Sequence, residues 1–195
     1  MDSLACREHA IAWNQRQVNC VVVGRGMVRV DEEGQLKDPA RKADPTHAYV
    51  LGHSNQELDR LKAQARLIDP ITQRFFRTAG IVPGMRVLDV GSGAGDVAFL
   101  AADLVGEAGE VVGVDRVPAA LEEARARATA RALRNVVFLE GDPAEIAFER
   151  PFDAVIGRYV LQFQKHPASM LRSLSRHVRP GGLIGFHEID WAGLA

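Results

Sequence analysis

The residues whose types and spacing bear chemistry begin at Gly91-Ser92-Gly93-Ala94-Gly95, three glycines in five residues directly after the apolar run Val87 to Val90. Helix-forming residues resume at Asp96, so the segment reads as strand, turn and helix. Glycines at alternate positions take dihedrals closed to other residues and let a ligand lie against bare main chain, as a nucleotide-type cofactor does. Asp115 lies 20 residues beyond Gly95, at the end of the next apolar run, Val111 to Val114. A carboxylate there accepts hydrogen bonds from both hydroxyls of a ribose, which implies an adenosine-containing cofactor. The dinucleotide fingerprint would place glycine at positions 91, 93 and 96, but position 96 is Asp96. A carboxylate in the first turn of that helix repels a pyrophosphate, whereas a positively charged cofactor without phosphate meets no such penalty.

Other polar residues stand at the ends of apolar runs: Asp89 before the turn, Asp142 after Val136 to Leu139, Arg158 after Phe152 to Ile156, and His187, Glu188 and Asp190 after Leu183 to Phe186. His187 and Glu188 are the best candidates for a general base, and strand alternation puts such neighbours on opposite faces, so at most one of them faces a reacting group. His53, His166 and Asp190 are weaker candidates. Cys6 and Cys20 match neither a metal knuckle nor a redox pair, and no metal site is expected.

Positioning these residues requires regular elements. Ser54-Asn55-Gln56-Glu57 has capping-box spacing and predicts a helix from about Asn55 to Ile68; Asp69-Pro70 signals a second helix that runs through ITQRFFRTA to Gly80. Tyr49 and Phe75 read as core in this scheme. After the glycine turn come a helix over Asp96 to Val105, a strand ending at Asp115, and a helix opened by Pro118. In that helix Leu121, Ala124, Ala128 and Ala132 mark the inner face, and Glu123 with Arg127 forms an i,i+4 pair on a solvated one. Two further strands follow, then a helix over Ala168 to Val178, a turn at Arg179-Pro180-Gly181-Gly182 and a fifth strand. Near-continuous apolar strands alternating with helices mean a parallel sheet covered on both faces, with ligands beyond the carboxyl ends of its strands. Residues 1–46 form an N-terminal extension in which Val18 to Val23 and Met27 to Val30 read as a hairpin about Gly24-Arg25-Gly26, followed by a polar linker from Asp31 to Pro45.

With 195 residues, 47% of them hydrophobic and a net charge of -1, the chain suits one domain and carries no long run of one sign. General nucleic-acid binding and a membrane surface are therefore not expected. The charged, mixed N-terminus and the short VNCVVV run fit neither a signal peptide nor a membrane span, and a reduced, cytoplasmic setting follows.

Taken together these residues resemble the class I S-adenosylmethionine-dependent methyltransferases, and the bacterial methyltransferase-domain group in particular. VLDVGSGAG resembles that family's first motif, Val111 to Asp115 its ribose-binding strand end, Glu140-Gly141-Asp142 the segment flanking the adenine, and Val178-Arg179-Pro180-Gly181-Gly182 the turn before its fifth strand. The stretches YVLGHSNQELDRL and FDAVIGRYVLQF resemble the bacterial group, and the resemblance runs over residues 47–195. It implies an α/β, Rossmann-like doubly wound sheet, mainly parallel, with at least five strands and helices on both faces. It also implies roles. Gly91, Gly93 and Gly95 would line the methionine part of S-adenosyl-L-methionine, with Asp89 and Ser92 near its amino group. Asp115 would hold the ribose, Arg116 would border the adenine pocket, and Asp142 would accept from the adenine amino group beside Pro143 and Ala144. Arg158 would stand near the methionine moiety, and His187 or Glu188 would act as base toward a small-molecule acceptor.

The family's sheet ordinarily continues past its fifth strand with a helix and two further strands, so the resemblance reads this chain as a C-terminally truncated or rearranged member. The edge left open would favour self-association as a homodimer. Two other functions stay open on sequence: an NAD-dependent oxidoreductase on a Rossmann-type fold, against which Asp96 speaks, and a cofactor-binding protein without turnover.

Overall fold

The computed structural model describes residues 68–188 together with the backbone of three short strands before them, β1 (Asn19–Val23), β2 (Arg29–Val30) and β3 (Leu36–Lys37). The chain then forms α1 (68–79), β4 (Arg86–Val90), α2 (Asp96–Val105), β5 (Glu110–Asp115), α3 (Pro118–Ala130), β6 (Val136–Glu140), β7 (Phe152–Arg158), α4 (Pro167–Leu174) and β8 (Val178–His187). The predicted helix over residues 55–68, its capping box, Tyr49 and His53 lie outside the described residues.

Six strands make one sheet in the order β1-β8-β7-β4-β5-β6, and every neighbouring pair is parallel. From β4 the chain moves outward through β5 to β6, then returns to β7 and β8 on the other side of β4. That reversal opens a crevice at the carboxyl end of β4, the place where parallel sheets bind ligands.

Alternation along the strands divides the apolar residues between two cores. Val87, Val111, Ala154, Ile156 and Leu183 pack with Phe76 of α1, with Val97, Phe99 and Val105 of α2, and with Leu121 and Ala124 of α3. Their neighbours Leu88, Val112, Val155 and Ile184 point the other way, into a cluster with Leu161 and with Leu174 of α4. The sheet is thus covered on both faces, and so its strands are apolar almost throughout.

Three expectations are corrected. The first concerns the N-terminal extension. Val18 to Val23 and Met27 to Val30 do not pair as a hairpin: Asn19–Val23 lies parallel to β8, with Val23 opposite His187, and Arg29–Val30 pairs antiparallel with Leu36–Lys37, inside the segment expected to be linker. β1 therefore covers the edge of β8 that was expected to be open, and is itself the last strand on that side of the sheet. The second concerns Arg179-Pro180-Gly181-Gly182, which does not break the chain between helix and strand. It is a bulge inside β8, where Phe152 faces Val178 but Ala154 faces Leu183. The third concerns Ala132, which is not on a helix face. α3 stops at Ala130, and Ala132 takes a left-handed conformation with φ 53° that ends the helix. Among the described residues no helix is long and apolar enough to cross a membrane.

Candidate functional site

The glycine turn is tied to β5 rather than left loose. The Gly91 and Ser92 N–H groups both donate to the Val114 carbonyl, at 2.8 and 3.0 Å, and the Gly93 N–H donates to Oδ2 of Asp115 at 2.8 Å. The other oxygen of Asp115 accepts the Val117 N–H at 2.9 Å. The Asp115 carboxylate thus fixes both the turn and the entry to α3, and each oxygen keeps a lone pair for further donors. Two glycines show why the residue type matters. Gly95 has φ 90°, and a Cβ there would meet Phe138 and Phe99 ring carbons at 2.9 Å, so it is required by packing as well as by conformation. Gly93 has φ 52° and a Cβ would meet nothing within 4 Å, so its bare backbone faces open space.

Asp89 and Ser92 lie beneath this turn. Both are buried, and among the described residues neither Asp89 oxygen nor the Ser92 hydroxyl makes a well-formed hydrogen bond. Burial pushes the Asp89 carboxyl well above the usual carboxylate range; Arg158 pulls it back and Asp115 adds to the rise. Buried polar atoms without partners are uncommon and costly, and orphans clustered under an open glycine turn are what a polar ligand would satisfy.

On the far side of Asp115, Arg116 pairs with Oδ2 of Asp142, while Oδ1 of Asp142 accepts the Ala144 N–H at 2.9 Å. Arg116, Asp142 and Ala144 therefore gather along the ends of β5 and β6, with Pro143 between the last two in the chain. Asp96 is held in an ion pair. Arg127 of α3 donates to Asp96 at 2.6 Å and to the Ala94 carbonyl at 2.6 Å, bracing the turn from outside. The expected solvated role of Arg127 is corrected accordingly.

A second group lies at the ends of β7 and β8. Arg158 is largely buried and donates from Nη1 to Asp69 at 2.7 Å and to the Thr72 hydroxyl at 3.1 Å, both on α1. Thr72, fully buried, also lies 2.9 Å from Nδ1 of His187. Burial and the nearby Arg158 charge lower the His187 pKa below the ordinary imidazole range. Glu188 takes a different environment: Oε1 accepts the Val160 and Leu161 N–H groups at 2.9 and 3.0 Å, and Oε2 accepts the Gln162 N–H at 3.3 Å. These three donors open a 3-10 turn over Leu161–Phe163, so Glu188 caps it. Burial raises the Glu188 pKa against the lowering effect of those bonds. His187 and Glu188 thus face different partners, as alternation required.

Asp69 and Thr72 were missed by sequence reasoning except as a helix start. Their one signal was polarity: Thr72 interrupts an otherwise amphipathic helix on its inward side.

A family model described as methyltransferase domain matches residues 81–192. Aklanonic acid methyltransferase DauC of Streptomyces sp. (strain C5) is 35% identical over 152 residues, 77% of this chain and 67% of that protein. The ubiquinone/menaquinone biosynthesis C-methyltransferase UbiE of Ectopseudomonas mendocina (strain ymp) is 36% identical over 124 residues, 62% of this chain; the chain spans 48% of that relative's length. Among solved structures, a SAM-dependent methyltransferase from Aquifex aeolicus superposes with a TM-score of 0.57 at 25% identity, covering 66% of this chain and 69% of that one.

Proposed function

The chain belongs to the class I S-adenosylmethionine-dependent methyltransferases, and on that premise we propose that it moves a methyl group from S-adenosyl-L-methionine to a small-molecule acceptor. The observation that carries the reading is the open backbone at Gly93 above the unpartnered Asp89 and Ser92, with Asp115 beside it. The chemistry of this donor set fits the cofactor. Asp89, Asp115 and Asp142 offer acceptors to an ammonium group, ribose hydroxyls and an adenine amino group, and their joint charge suits a cation. Gly93 would let the methionine portion approach the main chain, while Gly91 and Gly95, whose Cβ positions are filled by Val160 and by the Phe99 and Phe138 rings, would hold the shape of the turn. Arg116 would leave Asp142 to border the adenine beside Pro143 and Ala144, and Arg158 would keep its remaining N–H donors toward the methionine carboxylate.

When bound, the cofactor supplies a methyl group on a sulfonium sulfur, already activated for displacement. The chain's part is then to align the two reactants and to accept a proton where the acceptor carries one. DauC and UbiE are named for unlike acceptors, which supports a small organic acceptor for this chain without choosing among them. A reduced, cytoplasmic setting accompanies the proposal.

Calorimetric titration with S-adenosylhomocysteine tests it. Binding is expected, and Asp115→Ala should weaken it by roughly 1–3 kcal/mol, the value of hydrogen bonds to a charged group. No heat with either S-adenosylmethionine or S-adenosylhomocysteine would overturn the proposal.

A further inference from the structure

The Thr72 hydroxyl has one hydrogen and two lone pairs, and three neighbours within hydrogen-bond reach. The Ile68 carbonyl at 3.3 Å can only accept. Arg158 Nη1 at 3.1 Å can only donate. Nδ1 of His187 at 2.9 Å does either, according to which ring nitrogen carries the proton. If Thr72 donates to Nδ1, its contact with Ile68 has no hydrogen. If instead Thr72 donates to Ile68, as helical threonines commonly do, its two lone pairs receive Arg158 and a protonated Nδ1. This second arrangement alone gives every contact of the fully buried hydroxyl a proton.

We propose that Thr72, set by Arg158 and Asp69, holds His187 as the tautomer protonated on Nδ1, which leaves Nε2 as the base for a protonated methyl acceptor. The inference rests on the methyl-transfer reading above. Thr72, Arg158 and Asp69 are positioning residues in it. Asp69 receives Arg158 Nη1 at 2.7 Å and so orients the guanidinium that faces Thr72. His187 stands at the carboxyl end of β8, opposite Arg158 in register. Its ring is also flanked by Phe75 of α1 and by Tyr159 after β7, with centroids 6.2 and 5.8 Å away. Glu188 follows it in the chain, but its carboxylate is turned to the backbone of residues 160–162. Among the described residues the charged and titratable groups about the imidazole are thus Arg158, Asp69, Tyr159 and Glu188.

The step is a proton transfer. An acceptor O–H gives its proton to Nε2, the electron pair that held it stays on oxygen as the nucleophile, and the imidazolium returns the proton to solvent. A neutral imidazole whose basicity is reduced by burial and by Arg158 suits an acidic hydroxyl, a phenol or an enol. An alcohol lies too far above it, and a carboxylic acid is already ionised at neutral pH.

The test is nitrogen-15 NMR of the histidine rings in the whole chain, free and with S-adenosylhomocysteine. Expected is a neutral His187 at neutral pH with the proton on Nδ1 in both states. Thr72→Val, which keeps shape and burial, should shift the tautomer ratio by roughly tenfold toward Nε2–H, the loss of one hydrogen bond; Thr72→Ser should restore it. A proton on Nε2 in the native chain, or a ratio unmoved by Thr72→Val, would overturn the inference even where S-adenosylhomocysteine binds. Failure of that ligand to bind, with the tautomer as expected, would instead remove the methyl-transfer reading and the base role with it.

Discussion

Asp89 combines complete burial with a carboxylate that only the Ala98 backbone and the nearby Arg158 charge favour, neither oxygen making a well-formed hydrogen bond among the described residues. Its raised pKa has a definite sign in stability. The folded chain keeps this proton to a higher pH than the unfolded chain, so its contribution to stability is lost as pH rises from about 3.9 through the folded value. Asp89→Asn removes that loss, and urea titrations at about pH 4 and about pH 8 should find the variant's relative stability greater at the higher pH. A cation beside Asp89 favours the carboxylate, so binding S-adenosylmethionine should expel up to about one proton. Calorimetric enthalpies in buffers of differing ionisation heat will then diverge for the native chain and converge for Asp89→Asn. The identity of such residues was legible because glycine spacing and strand-end acids are local in sequence. The partners of Asp96 and Arg158 were not legible, since Arg127 and Asp69 come from elements whose approach only the packed fold decides.

At the scale of elements, the site depends on contacts that hold turns to their neighbours. Arg127 ties α3 to the glycine turn through Asp96 and Ala94, with both charged side chains less than a third exposed. Arg127→Met keeps the apolar stem and removes both bonds. It should cost about 1–2 kcal/mol in thermal or urea unfolding and weaken S-adenosylhomocysteine binding, since Ala94 and Asp96 then lose their brace. Glu188 does for the turn after β7 what a capping residue does for a helix. Glu188→Ala should cost about 1–2 kcal/mol, and Glu188→Gln, which keeps an acceptor oxygen, less. If Glu188 instead served as a base, Glu188→Gln would abolish transfer while leaving urea stability unchanged. The periodicity of apolar residues made α2, β5 and β7 legible nearly to the residue. It failed at Arg179-Pro180-Gly181-Gly182, where turn-forming residues sit in a bulge of β8, because bulges and turns use the same left-handed glycine, here Gly181 with φ 75°.

For the whole molecule, the element hardest to anticipate is β1. VNCVVV is plainly β-prone, but nothing local says which strand the five residues Asn19–Val23 will join, and their partner lies more than 150 residues later in the chain, from Asn19 opposite Leu183 to Val23 opposite His187. Joining β8 changes that strand from an edge to an interior one, and with it the setting of His187, which now lies between Arg158 on one side and Val23 on the other. The consequence is measurable without any ligand. In a parallel sheet, successive amides of one strand point alternately to its two neighbours, so an interior strand protects all of them and an edge strand only every other one. Hydrogen exchange across Leu183 to Phe186 should therefore be uniformly slow, whereas β6, at the far end of the sheet, should show slow and fast amides in alternation. Alternating exchange in β8 would mean that Asn19–Val23 does not hold this edge, and would restore pairing between two chains through β8 as the way the sheet is completed.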